Sequence, residues 1–158
     1  REWELPEDDS KWWILAKKYD LKTKLKKLGR NIAIQGENCG IGIQQNRMGL
    51  KDLETYVFQI WDIDTHKYLD FYDFTDMCRQ LDLPTVPVYQ INGNNIGTLP
   101  DLGGVDWLVE LANQVKYAND TPAEGLVFRP MTECYSNALR CRLSFKVISQ
   151  VFKLKYGQ

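Results

Sequence analysis

The sequence predicts an α+β domain, with helices packed on mainly antiparallel sheets. Three observations predict it. Strand-like runs stand towards both ends of the chain, around "NIAIQGE" and "TYVFQIWDID" on one side and "EGLVFRP" and "RLSFKVIS" on the other. Helical patterns lie between them and before them. The 158 residues are 44% hydrophobic, with five Trp and eight Tyr, enough for a real core in one domain. No repeat, low-complexity tract or long linker divides them.

The elements follow in order. Asp8, Asp9 and Ser10 offer caps before a helix in "KWWILAKKYD". "LKTKLKKLGR" places Leu21, Leu25 and Leu28 on one helical stripe, and Gly29 is a natural stop. Lys22, Lys24, Lys26 and Lys27 fan over the other faces, as a solvated surface or an RNA phosphate contact. "NIAIQGE" is a strand with Ile32 and Ile34 on one side. "NCGIGIQQNRMG" is a glycine-punctuated loop, and "TYVFQIWDID" a second strong strand. "DFYDFTDMCRQLD" is a helix capped near Asp70, and "TVPVYQI" a short strand before the turn "NGNN". "VDWLVELANQVKYA" is an amphipathic helix carrying Leu108, Leu111 and Val115. Three strands are expected to close the chain: "EGLVFRP", "RLSFKVIS" and "VFKLKYG".

Composition narrows the function. A net charge of -1 gives no global signature of nucleic-acid binding, so any such binding needs a local patch. Cys39, Cys78, Cys134 and Cys141 lie far apart without a CxxC, which argues against zinc and a disulfide framework. Reduced thiols point to an intracellular protein of the cytoplasm or nucleus. No apolar run reaches membrane-span length. The chain opens on Arg1 and reads as a processed chain or a fragment.

Several residues carry chemistry. Glu124 opens an apolar strand on the parity of Leu126 and Phe128, where a carboxylate is costly unless paired or bound to a metal. "VFKLKY", read as a strand, sets Lys153 and Lys155 on one face, as an edge guard or a phosphate clamp, with Lys146 nearby. Glu37 ends a strand before Gly40 and Gly42, a segment that is neither GxGxxG nor a Walker loop. Phe58 shares a parity with Tyr56 and Ile60, the usual pattern of core. Asp62 and Asp64 are strand enders before they are metal ligands, and His66 is the only histidine.

Taken in order, these segments resemble the ATP-dependent RNA ligases of the nick-sealing RNA ligase 2-like group, within the covalent nucleotidyltransferase superfamily. "IAIQGENCGIGIQQN" resembles the family's Gly-Glu-x-x-Gly-x-Gly-Ile-Gln-x-Asn segment. "YVFQIWDI" resembles its aromatic motif III, "AEGLVFRP" its motif IV, and "SFKVIS" with "FKLKY" its lysine motif V. The resemblance spans nearly the whole chain. It implies a nucleotidyltransferase (ligase adenylation) fold, with residues 1–158 as the C-terminal portion of one such domain whose first strands are missing. It implies ATP and Mg2+ or Mn2+ as cofactors and RNA ends as partners, joined through lysyl-AMP and RNA-adenylate.

Roles follow from the resemblance alone. Phe58 would stack on adenine and Glu37 contact the nucleoside. Glu124 would place the metal. Lys153 and Lys155, or Lys146, would hold phosphates, and Arg1 would match an arginine that follows the nucleophile. These groups are expected to share one cleft, with Glu124 within about 12 Å of a lysine. One departure stands out: no Lys-x-Asp-Gly or Lys-x-His-Gly occurs in the chain. The chain alone is then expected to be inactive. The other readings are a non-catalytic nucleotide- or RNA-end-binding module, or a DNA ligase or capping-type relative.

Overall fold

The computed structural model describes residues 10–88, 90–91, 94–95 and 104–157, the side chains of 90, 91, 94 and 95 excepted. They fall into two compact units: one built from residues up to 46 and from 50–86, the other from 47–49 and from 87 onward. Arg1 lies outside the described residues.

The first unit begins with two short helices, α1 (Lys11–Lys18) and α2 (Leu21–Leu28). The Ser10 hydroxyl accepts from the Trp13 N–H and starts α1. Asp20, in the left-handed region at φ 49°, turns the chain between them. Gly29, at φ 65°, ends α2 as expected. Lys18 and Tyr19 both grip Glu54 and so fix α1 to the following sheet. Burial and that carboxylate push the Tyr19 phenol up to about 12.

That sheet is antiparallel, in the order β1 (Ile32–Cys39), β2 (Glu54–Asp62), β3 (Lys67–Tyr68). The helix α3 (Phe71–Gln80) covers it. Phe74, Met77 and Cys78 recur at helical spacing and join Val57, Ile60, Leu81 and Leu83 in the core. Tyr19, Leu21, Leu25, Leu28, Ile32 and Ile34 pack against that cluster, so the leucine stripe of α2 does face inward.

The register corrects one sequence expectation. Gln35 pairs with Gln59, but Gly36 pairs with Val57, and Phe58 is skipped. Phe58 is therefore the extra residue of a β-bulge. Strict alternation fails there, and Val57 and Ile60 both enter the core.

The second unit has its own core. The helix α4 (Gly104–Gln114) packs on the strand pair β6 (Gly125–Phe128) and β9 (Phe145–Ile148). Leu108, Leu111 and Phe128 are buried, with Trp107, Leu126, Phe145 and Val147 against them. The Phe128 and Phe145 rings stack at 5.1 Å. A two-residue pair, β4 (Gln90–Ile91) with β5 (Asn94–Asn95), precedes α4. Between β6 and β9 stands a small hairpin, β7 (Tyr135–Ser136) with β8 (Cys141–Arg142).

The last segment departs from expectation. "VFKLKY" is not a strand but part of the helix α5 (Gln150–Tyr156). The cause lies just before it. Ser149 is fully buried, and its hydroxyl accepts from the Phe152 N–H at 3.2 Å. Asn113 of α4 accepts from the Gln150 N–H at 2.7 Å and from the Ser149 hydroxyl at 3.2 Å. The first turn of α5 is thus capped from two sides. Phe152 is buried, Tyr156 packs on it four residues later, and Leu154 between them is 86% exposed. Gly157, at φ 66°, ends the helix. Lys153 and Lys155 therefore point about 160° apart around α5 and do not form one clamp.

Replacing Ser149 by Ala should lower stability by about 1–2 kcal/mol, because a buried cap is lost. Urea midpoints of the variant and the parent chain test this, and an unchanged midpoint would mean that the cap is not what starts α5.

Candidate functional site

Glu124 is where the second unit concentrates its chemistry. Its position depends on Gly125. Gly125 sits at φ 154°, and a Cβ there would lie 2.0 Å from the Val147 carbonyl oxygen. Only glycine lets β6 start this close to β9. The Ser149 N–H then donates to the Glu124 carbonyl at 2.9 Å and extends the pairing past the strand end.

The neighbouring strands sort their side chains. Leu126, Phe128, Phe145 and Val147 pack against the helix. Val127 and Lys146, directly opposite each other in the register, are both exposed. The Lys146 ammonium donates to the Glu124 carboxylate. The apolar parity of Glu124 is broken at Gly125, and the carboxylate joins the solvent-facing lysine rather than the core. Both side chains remain over 40% exposed. An ion pair this open contributes little to stability, ~1 kcal/mol at most. Its two charges stay available to a ligand.

The other two lysines are elsewhere. Lys153 and Lys155 ride on α5, and the Lys155 ammonium lies 5.5 Å from the Tyr156 ring. The Asp120 carboxyl is held low chiefly by Lys116, 2.8 Å away, with Lys155 contributing. Of the three candidates, Lys146 is the one paired with Glu124. That contact meets the expected proximity of Glu124 to a lysine.

In the first unit, Glu37 and Phe58 lie on adjoining strands. Glu37 is exposed and pairs across the sheet with Tyr56. Phe58 bulges beside that pair. Gly36 faces the bulge, where a Cβ would meet the Thr55 methyl and the Tyr56 carbonyl oxygen at 2.9 Å each. A bulge of this kind re-aims a side chain without ending the sheet. Burial, and secondarily the Glu37 charge, push the Cys39 thiol up.

The loop after Glu37 gathers several positive backbone φ angles. Gly40 lies at φ 114°, and a Cβ there would stand 2.1 Å from the Asp52 carbonyl oxygen. Gln44, Gln45 and Asn46 all have positive φ, of 39°, 60° and 49°. Such a run costs on the order of 1–2 kcal/mol per residue and persists only when held. Asn46 helps to hold it: its side chain accepts from the Leu50 N–H at 3.0 Å and donates to the Leu50 carbonyl at 2.8 Å. Lys11 donates to the Gly42 carbonyl. Sequence patterning pointed to the glycines here but missed Asn46, whose signal was the "QQN" run before a turn.

Asp62 and Asp64 are engaged structurally. The Thr65 N–H at 2.9 Å and Arg30 at 2.7 Å hold the Asp62 carboxyl down at about 2. Asp64 accepts from Asn31 at 2.8 Å. His66 is exposed, edge-on to the Trp61 ring. Among the described residues, no group of three or more His, Cys, Asp or Glu side chains is placed to hold a metal ion.

A family model described as RNA ligase matches residues 1–148. The chain belongs to the RNA ligase family. The match takes in Glu37, Phe58, Glu124 and Lys146 and stops before α5, which carries Lys153 and Lys155.

Solved structures agree with this RNA ligase assignment. The Naegleria gruberi RNA ligase with pyrophosphate is 28% identical, with a TM-score of 0.78 over 98% of this chain and 43% of that one. A variant of the same enzyme with ATP and Mn matches 99% of this chain and 44% of its own, at 28% identity and a TM-score of 0.78. A variant with AMP and Mn matches 98% and 44%, at 28% identity and a TM-score of 0.77. The chain thus spans less than half the length of these structures. No curated protein matches it. The architecture is the α+β nucleotidyltransferase type.

Gly125→Ala should be far more damaging than its size suggests, by roughly 2–4 kcal/mol, since strand pairing must open to admit the methyl group. Unfolding in urea measures it. Gly29→Ala is the control: its Cβ meets nothing within 4 Å, so only the cost of a positive φ remains.

Proposed function

We propose that this chain supplies the nucleotide- and metal-handling part of an ATP-dependent RNA ligase. Such an enzyme joins an RNA 5'-phosphate to a 3'-hydroxyl. The observation that carries the reading is the exposed Glu124–Lys146 pair beside Gly125, inside the matched family span. The N. gruberi relatives support it, since they hold ATP, AMP, pyrophosphate and Mn.

The chemistry assigns the roles. In adenylyl transfer a lysine amine attacks the α-phosphorus of ATP, an N–P bond forms and pyrophosphate leaves. Negative charge grows on phosphate oxygens, and a fixed cation lowers that barrier. Lys146 is the cation for this task. Glu124 presents the hard oxygen donor that Mg2+ or Mn2+ prefers. One or two carboxylates plus substrate phosphates are the usual setting for Mg2+. The metal would neutralise phosphate charge. Phe58 offers an aromatic face for adenine, and Glu37 an exposed carboxylate for ribose hydroxyls. Lys153 and Lys155 have the weaker claim, because α5 separates them.

No Lys-x-Asp-Gly or Lys-x-His-Gly occurs in these 158 residues. We therefore expect the chain alone to bind an adenine nucleotide without becoming labelled by it.

Calorimetry with AMP and Mn2+ and transfer of label from ATP test the reading together. Glu124→Gln and Phe58→Ala should each weaken nucleotide binding about tenfold or more. Only Glu124→Gln should also reduce the dependence on metal. Equal metal dependence in both variants would remove Glu124 from the metal site, and label retained on the 158-residue chain would show a nucleophile outside the expected motif.

A further inference from the structure

The chain leaves the left-handed run at Asn46 and contributes three residues, Arg47 to Gly49, to the second unit. The turn after α4 fixes their backbone there. The Asn119 side chain donates to the Arg47 carbonyl at 3.0 Å and accepts from the Thr121 N–H at 3.2 Å. Gly49, at φ 65°, lies so near Asn119 that an added Cβ would stand 3.0 Å from its amide nitrogen. A Lys116–Asp120 ion pair of 2.8 Å spans the same turn.

This anchoring brings the Arg47 side chain to α5. Its guanidinium lies 5.0 Å from the centre of the Phe152 ring and 4.5 Å from that of Tyr156. The Lys155 ammonium lies 5.5 Å from the same Tyr156 ring. Two cations at one ring stand within about 10 Å of each other, the screening length of 0.1 M salt. Neither makes an ion pair among the described residues. Asp120, the carboxylate that Lys155 influences, is already bonded to Lys116.

Stacking explains where the guanidinium sits but not what its N–H groups do. Arg47 Nε is buried without a hydrogen-bond partner. A buried donor left unbonded is costly, the more so on a charged group. The C-terminal end of α5 favours cations, which accounts for Lys155 as a residue of the last turn. It does not account for Arg47, because no carbonyl at that end accepts from Nε. Arg47 is half-buried and Lys155 exposed, so both are reachable from solvent. A planar donor fork held on aromatic rings, with an ammonium beside it, suits the paired oxygens of a phosphate.

We propose that Arg47 and Lys155, gathered around Tyr156, form a phosphate-binding site in the second unit, built on α5 rather than on the β6–β9 pair. The guanidinium supplies directional donors, including the buried Nε–H, and the ammonium supplies a second charge. Asn119 is the positioning residue, since it holds the Arg47 backbone. The inference rests on the RNA ligase reading for what carries the phosphate, either an RNA strand or the triphosphate of ATP.

The test measures binding of two probes to the whole chain: a short 5'-phosphorylated oligoribonucleotide, and ATP with Mn2+. The variants are Arg47→Gln and Lys155→Gln. The control is Arg140→Gln, an exposed arginine of the hairpin. Each variant should weaken at least one probe about fivefold to tenfold, and the control neither. If RNA is the carrier, the slope of log K against log salt should also shrink by about 0.7, as for one lost contact to a single strand. Loss with RNA alone assigns the phosphate to the strand, and loss with ATP alone assigns it to the nucleotide. Lys155→Gln keeps the test decisive if Arg47→Gln fails to fold, because the Lys155 side chain is exposed. Unchanged affinity for both probes in Lys155→Gln overturns the site and leaves Arg47 as a packing residue of α5. If Glu124→Gln still loses ATP in that case, the ligase reading stands. A parent chain that binds neither probe overturns both.

Discussion

The site depends on one close backbone approach. Gly125 runs so near the Val147 carbonyl that no side chain fits between them. That approach lets β6 begin at a glycine and frees Glu124 from the alternation that would drive it inward. The carboxylate then meets Lys146, which the strand pair must turn outward because Phe145 and Val147 are held against α4. An aromatic stack packed against α4 on one face thus positions an exposed charge pair on the other. The pair itself stabilises little. The unit tolerates it because the cohesive contacts lie elsewhere.

The first unit uses the same device in another form. A glycine, Gly36, faces a bulge at Phe58, and the bulge interrupts a sheet whose other positions serve the core. Beyond Glu37 the chain passes through a run of left-handed residues held by the Asn46 side chain. In both units the residues proposed for chemical roles stand where regular pairing breaks, and regular pairing supplies the stiffness around them.

Much of this was legible from residue order. The leucine stripe of α2, the stop at Gly29, the two long strands and α4 all follow from periodicity and punctuation. Glu124 was conspicuous because a carboxylate sat on an apolar parity. What periodicity could not show was where it ceases to apply. Phe58 read as a core residue until the register skipped it. "VFKLKY" alternates as well as any strand, yet Phe152 and Tyr156 are also four apart, and Ser149 with Asn113 of α4 decides for the helix. That deciding contact joins residues 36 apart in sequence. No local pattern contains it. The pairing of Glu124 with Lys146 follows from the β6–β9 register, while the same helix carries Lys153 and Lys155.

The central claim is that Glu124 and Lys146 receive metal-bound nucleotide phosphate. Amide NMR spectra of the chain with AMP, titrated with traces of Mn2+, test it most directly, because a bound paramagnetic ion broadens the amides nearest to it. The account predicts that Glu124, Gly125, Lys146 and Val147 broaden first, and only when AMP is present. Earliest broadening at the exposed carboxylates of α3, such as Asp73 and Asp76, with the Glu124 region unaffected, would contradict it.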